Sequence, residues 1–139
     1  MVEQPKSGGL RIQSGLDESV EVLANRVIGA GIEVHRTLGP GHLESVYENA
    51  FCIELTQSGV SFIRQHPVRV SYKGHDVSEG RMDLVIDNAI IIELKAVESL
   101  APIHEAQLIA YLKATGLHLG LLMNFIVPVL KNGLKRVIV

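Results

Sequence analysis

The chain has no tryptophan, a single cysteine and few aromatic residues, 4% of 139. With one cysteine, Cys52, there is no intramolecular disulfide framework and no Cys-based zinc site. Its apolar neighbours make it a packing residue. Six histidines are present, at His35, His42, His66, His75, His104 and His118, but none falls in a Cys/His or His-x3-His spacing of the structural or hydrolytic zinc type. His42 and His104 stand near the starts of two predicted helices and read as surface positions there. Charge of one sign is also lacking. Thirteen Lys and Arg face fifteen Asp and Glu, for a net charge of −2 and a pI near 6.3. Tight nonspecific binding to nucleic acid draws on many phosphate contacts, so this balance argues against a broadly basic binder and confines any such contact to a local patch. Arg64, Arg69, Lys73, Arg81, Lys113, Lys131, Lys135 and Arg136 are the basic candidates, each otherwise an ordinary solvated side chain. No apolar run reaches the length of a membrane span, and the polar N-terminal MVEQPKSGG has no charged-then-apolar leader pattern, so a cytoplasmic protein that does not engage membranes is expected. Internal repeats and low-complexity segments are lacking too.

What is present is concentrated in Asp83 to Lys95, DLVIDNAIIIELK. Met82 to Ile86 reads as a short strand, Asp87-Asn88 as a two-residue turn, and Ala89 to Lys95 as an isoleucine-rich buried strand, together a hairpin. Side chains alternate along a strand, so Glu93 and Lys95 share one face and Leu94 takes the other. Two charges on an otherwise apolar central strand cost several kcal/mol unless paired or bound. A cation relieves that cost, and Asp83 on the neighbouring strand can bring a second carboxylate to the same place. Two carboxylates and a backbone carbonyl form an incomplete oxygen shell of the kind Mg²⁺ completes with water and substrate phosphate; Mn²⁺ accepts similar ligands. Lys95 would orient and activate the attacking water and offset charge developing on the phosphoryl group. The alternative is a structural Glu93–Lys95 ion pair at a sheet edge.

Two further segments carry polar residues at helical spacing. In GPGHLESVYENAF, Gly39 to Phe51, Gly39-Pro40-Gly41 breaks a preceding helix, and Leu43, Val46, Tyr47, Ala50, Phe51 and Leu55 recur with helical period. Glu44 lies in the first turn of that helix, where an acid also complements the helix dipole, and Tyr47 is one turn on. Glu48 and Glu54 read as solvated. In APIHEAQLIAYLKATG, Ala101 to Gly116, Pro102 suits a first turn and Gly116 a C-cap, with Ile103, Ala106, Ala110 and Leu112 among the apolar positions. Gln107 and Tyr111 are four apart on one face, either lining a polar site or forming a half-buried polar pair.

The remaining chain fits around these elements in a single domain over residues 16–139. Residues 1–15, rich in Ser and Gly, are expected to be a flexible tail. Leu16 to Thr37 predicts a first helix capped by Asp17 or Ser19, with Val20, Leu23, Val27, Ala30 and Val34 on one stripe and Gly29 and Gly31 permitting close packing. Ser61 to Tyr72 predicts an edge or bulged strand broken at Pro67, and Lys73-Gly74 a turn. Leu117 to Phe125 and Leu134 to Val139 predict two more strands.

Taken in order, Gly41-x-x-Glu44-x-x-Tyr47, Asp83, Glu93-Leu94-Lys95 and HEAQLIAYLKATGLHLGLLMNF resemble the bacterial GxxExxY protein family, a branch of the PD-(D/E)XK nuclease-like superfamily. The resemblance spans roughly residues 17 to 139. It implies an α/β fold with a mixed sheet and an αβββαβ core. It also implies a Mg²⁺- or Mn²⁺-dependent nuclease acting on nucleic acid, DNA being favoured. Asp83 and Glu93 would match the metal-binding acids, Glu44 a helical glutamate approaching the metal, Lys95 the catalytic lysine, and Gln107 and Tyr111 the Q-x-x-x-Y motif of RecB-like nucleases. Met82 stands where the superfamily's name has proline. Small nucleases of this architecture often work as dimers, and the apolar C-terminal segment, Val137 to Val139, pairs either within the sheet or with another chain, so a homodimer is expected. A nuclease-like fold used only to bind nucleic acid, nucleotide or protein is the alternative function.

Overall fold

The structure, a computed structural model, describes residues 14–139. The expected tail lies outside the described residues as far as residue 13. Helix α1, Glu18–Leu38, begins after Asp17, whose backbone carbonyl accepts from Val20 and Glu21 while its side chain makes no cap bond. Helix α2, Glu44–Gln57, follows the Gly39 to Leu43 turn. A five-stranded sheet is then built from β1 (Phe62–Pro67), β4 (Arg81–Ile86), β5 (Ile90–Lys95), β6 (Leu119–Asn124) and β7 (Leu134–Ile138), in the order β1-β4-β5-β6-β7. The short strands β2 (Ser71–Tyr72) and β3 (His75–Asp76) form a separate hairpin. Helix α3, Pro102–Thr115, connects β5 to β6, which lie parallel; every other pairing in the large sheet is antiparallel. The result is the mixed α/β fold with the αβββαβ core, preceded by α1 and extended by β7.

Local chemistry accounts for these elements. Asp87 and Asn88 both adopt positive φ, 49° and 51°, as a two-residue hairpin turn of the I′ type demands, and Asn and Asp tolerate that conformation well. Pro67 has no N–H to donate and ends β1, which is an edge strand. Tyr72 thus belongs to the separate hairpin rather than to a continuation of β1. The C-terminal strand pairs with β6, Leu119 opposite Ile138 and Met123 opposite Leu134.

The sheet carries a core on each face. On one side α1 and α2 supply Ala24, Val27, Val34, Tyr47, Phe51 and Leu55 against Leu84, Ile86, Ile90, Ile92, Leu94, Leu121 and Met123. On the other, Leu108 and Leu112 of α3 pack on Val85, Ile91, Leu122 and Val137. Near-continuous apolar runs in β5 and β6 follow from this covering of both faces. Helix α3 buries a narrower stripe than its sequence suggests. Ile103, Ala106 and Ala110, expected among its packing positions, are exposed, and burial rests on Leu108 and Leu112. Among the described residues no helix is long and apolar enough to cross a membrane.

Helix α3 approaches the sheet closely where β6 has no side chain. A Cβ at Gly120 would sit 2.8 Å from three side-chain atoms of the fully buried Leu108. Gly120→Ala is therefore expected to lower stability by about 1–3 kcal/mol through overpacking, read as a drop in the urea midpoint with unchanged m-value.

Candidate active site

The two central strands β4 and β5 stop pairing at Leu84 opposite Ile92. The next pair would be Asp83 and Glu93. There, instead of backbone-to-backbone bonds, the Asp83 amide donates to Glu93 Oε2 at 2.9 Å and the Leu94 amide donates to Asp83 Oδ2 at 2.8 Å. Each carboxylate thus occupies the gap between the strands and accepts from the backbone of the other strand, satisfying amides that would otherwise be unpaired. The alternation of β4 breaks at the same point. Met82 packs into the α3-side core while Leu84, two residues on, packs into the opposite one.

Four sequence-predicted residues converge here. Glu93 is buried, Asp83 and Lys95 are half-buried, and Glu44 stands exposed at the first turn of α2. Their electrostatics are coupled. Burial, reinforced by the Asp83 charge, pushes Glu93 from an ordinary 4.5 to about 8, with the Asp83 amide and Lys95 opposing. Burial also raises Asp83, against the Leu94 amide, the Gln65 side chain and Lys95. Glu44 is raised by partial desolvation and then by Asp83, with Lys95 and the Ala96 amide opposing. Lys95 acts on all three acids, yet no salt bridge joins it to any of them among the described residues. A structural Glu93–Lys95 pair at a sheet edge does not form; both residues lie on the central strand.

Tyr111 of α3 is half-buried, and its phenol is raised by burial and by the charges of Glu93 and Asp83, which places it beside the acids. A Cβ at Gly80 would lie 2.8 Å from the Tyr111 hydroxyl. Gln107, one turn earlier, is exposed and makes no side-chain hydrogen bond among the described residues. Tyr111 therefore feels the charge of the acids, whereas Gln107 is left at the surface.

Tyr47 does not reach the acids, and its part is to shape the turn that leads into α2. It is fully buried and stacks on Phe125 with ring centroids 4.6 Å apart. Its hydroxyl donates to the Gly39 carbonyl at 2.5 Å and accepts from the His42 amide at 3.1 Å. Gly39 and Gly41 in that turn have φ of 72° and 111°, conformations that glycine reaches without strain. The turn so fixed sets where α2 begins, and Glu44 is its first residue. His104 accepts from the Ala101 amide through Nδ1 at 2.9 Å and caps α3.

Sequence reasoning missed a second shell of polar residues. Glu48, expected to be solvated, is buried, accepts from Arg64 Nε at 3.1 Å and from Gln65 Nε2 at 2.9 Å, and forms an ion pair with Arg64. Gln65 Nε2 also lies 3.3 Å from Asp83 Oδ1. One signal pointed to Glu48: it is one turn beyond Glu44 on the same helix face. Of the other basic candidates, Arg136 pairs with Glu21, Lys135 with Glu105, and Arg81 donates to the Gln65 carbonyl.

The donor set suits a hard cation. Among the described residues no three His, Cys, Asp or Glu side chains form a ready-made metal cage, and one oxygen each of Asp83 and Glu93 is held by a backbone amide. Glu93 Oε1 accepts no hydrogen bond, and no fully buried side-chain polar atom is left without a partner among the described residues, so that oxygen keeps access to solvent. Crowded carboxylates with open oxygens are the environment that an added positive charge stabilises most.

The raised Glu93 fixes a pH dependence. Between 4.5 and about 8 the folded protein holds a proton that the unfolded chain has released, so stability falls as pH rises through that window. Glu93→Gln is expected to flatten this slope and to be more stable than the parent above pH 8, measured by thermal denaturation across pH in chelator. An unchanged slope would show that Glu93 is ionised throughout.

The family model described as the PD-(D/E)XK nuclease superfamily matches residues 21–137. No curated protein matches the chain, and no solved structure does. The matched span holds α2, β1 to β6, α3 and β7 up to Val137, including every residue of the acidic cluster, and the chain belongs to the PD-(D/E)XK nuclease superfamily.

Proposed function

We propose that this protein is a metal-dependent nuclease that hydrolyses phosphodiester bonds in nucleic acid, with DNA the favoured substrate. The observation that carries this reading is the Asp83–Glu93 carboxylate pair set into the break between β4 and β5, with Lys95 and Glu44 beside it. Members of the superfamily typically use divalent metal ions. Asp83 and Glu93 would hold Mg²⁺ or Mn²⁺, with Glu44 extending the acidic cluster. A bound divalent ion supplies Lewis acidity toward the scissile phosphate and lowers the pKa of water. Lys95 shares the acids' surroundings without being neutralised by any one of them, so its ammonium is available to orient the attacking water and to offset charge on the phosphoryl oxygens. Tyr111 and Gln107 orient the nucleotide from α3. The order of motifs supports placement in the GxxExxY branch near the RecB-like enzymes. A homodimer presenting two sites to a duplex completes the reading; β7 pairs within its own sheet, so its outer edge would be the contact.

A second reading, a nuclease-like fold that only binds nucleic acid, nucleotide or protein, draws on the mild net acidity and the missing third ligand. Cleavage of labelled single- and double-stranded DNA and RNA in Mg²⁺, Mn²⁺ or EDTA separates the two. Metal-dependent cleavage is expected, with Asp83→Ala abolishing it and Lys95→Ala lowering the rate by about 10²-fold or more, both variants remaining folded by circular dichroism at the assay temperature. No cleavage of any substrate, together with no heat of metal binding in calorimetry, would leave the binding module.

A further inference from the structure

We propose that Gln65 is a positioning residue for Asp83, held in place by buried Glu48 and its exposed ion-pair partner Arg64; this rests on the reading of Asp83 as a cation ligand. Three independent observations meet at Gln65. Its backbone has φ of 49° in the middle of a strand, a conformation that costs a residue with a Cβ on the order of 1 kcal/mol and persists where the surroundings enforce it. The β1–β4 ladder pairs Arg64 with Leu84 and His66 with Met82 but skips Gln65 and Asp83 between them. The Gln65 amide nitrogen donates to both Glu48 Oε1 at 2.9 Å and Asp83 Oδ1 at 3.3 Å.

The strained turn coincides with the skipped pair, and from it the side chain of exposed Gln65 reaches both Glu48 and Asp83. A regular strand would continue the ladder at this pair and would leave Asp83 Oδ1 without its neighbour. Glu48 holds the other side of the amide, and Arg64, bonded to both Glu48 and Asn49, fixes the Glu48 carboxylate from outside. Asp83 is thereby gripped at both oxygens, Oδ2 by the Leu94 amide and Oδ1 by Gln65. An acid gripped in this way presents a preset orientation to whatever it binds, the service that outer-shell partners give to metal ligands.

Gln65→Gly separates positioning from architecture, because it removes the amide while relieving the backbone strain. The melting temperature is expected to hold or rise. In the metal-free protein, exchange of the Leu94 amide with solvent is expected to speed up, as Asp83 loses one of its two grips. Mn²⁺ affinity by calorimetry is expected to fall about tenfold or more. Gln65→Asn, which tolerates the same backbone but has a shorter side chain, is expected to behave like the glycine variant. Unchanged Leu94 exchange in Gln65→Gly would overturn the positioning role whatever the metal data show. Faster Leu94 exchange in a protein whose parent binds no Mn²⁺ would overturn the cation reading of the site, and the proposed service to a ligand with it, while leaving the grip on Asp83 in place. Equal Mn²⁺ affinity in parent and variant would overturn the proposal with the cation reading intact.

Discussion

The crossed hydrogen bonds by which Glu93 accepts from the Asp83 amide and Asp83 from the Leu94 amide are the constraint on which the site depends. An antiparallel pair can continue, or it can part; if it parts inside a protein, each freed amide needs a partner. Here the partners are carboxylates, so the end of the β4–β5 ladder and the start of the acidic cluster are one event. The carboxylates cannot retreat to water without leaving the Asp83 and Leu94 amides unpaired. They are held in a partly buried gap where ionising both is unfavourable, hence the raised Glu93 and Asp83. The backbone's need for acceptors thus forces charge into a place that charge avoids, and the same compromise makes the gap receptive to a cation.

The helices serve that gap from opposite faces. Helix α2 is located by a turn whose geometry is locked through the Tyr47 hydroxyl and whose base is the Tyr47–Phe125 stack. The tyrosine serves structure, and the glutamate three residues before it stands exposed at the first turn of the helix. Helix α3 is located by Leu108 against Gly120 and delivers Tyr111 from the other side. Neither helix needs an unusual propensity. Both are pinned by one close packing contact and present a polar residue within a turn or so of it.

How much of this could be read in advance depended on the range of the interaction responsible. The hairpin and its turn at Asp87-Asn88 follow from period-two alternation and turn chemistry within a single stretch of thirteen residues, and the sheet bears them out. Glu44 was likewise legible from helical spacing after a Gly-Pro-Gly break. Glu48 was misread because its burial depends on Arg64 and Gln65, sixteen and seventeen residues away; an acid next to apolar positions on a helix looks solvated until its partners are known. Gln65 carries no local mark at all, since a left-handed conformation is ordinarily signalled by Gly or Asn. Ile103, Ala106 and Ala110 were counted toward the core of α3, but the sheet beneath accepts the stripe through Leu108 and Leu112 instead. Tertiary packing chose between two apolar faces that the sequence left equivalent.

On the proposed nuclease reading, the same electrostatics set an order of events. Glu44, Asp83 and Glu93 are opposed locally by Lys95, and the wider chain is itself slightly acidic. A phosphodiester entering beside ionised carboxylates would meet like charge, and two unit charges about 4 Å apart repel by about 4 kcal/mol at an effective dielectric near 20. One lysine does not cancel that repulsion and also stabilise a more highly charged transition state. Asp83 and Glu93 would hold a divalent cation whose charge would offset that repulsion and favour the ionised form of Glu93, leaving the Lys95 ammonium to the substrate. Affinity for nucleic acid should then be created at the site by the ion rather than supplied by a standing basic surface, and this reconciles a nearly neutral chain with a polyanionic substrate.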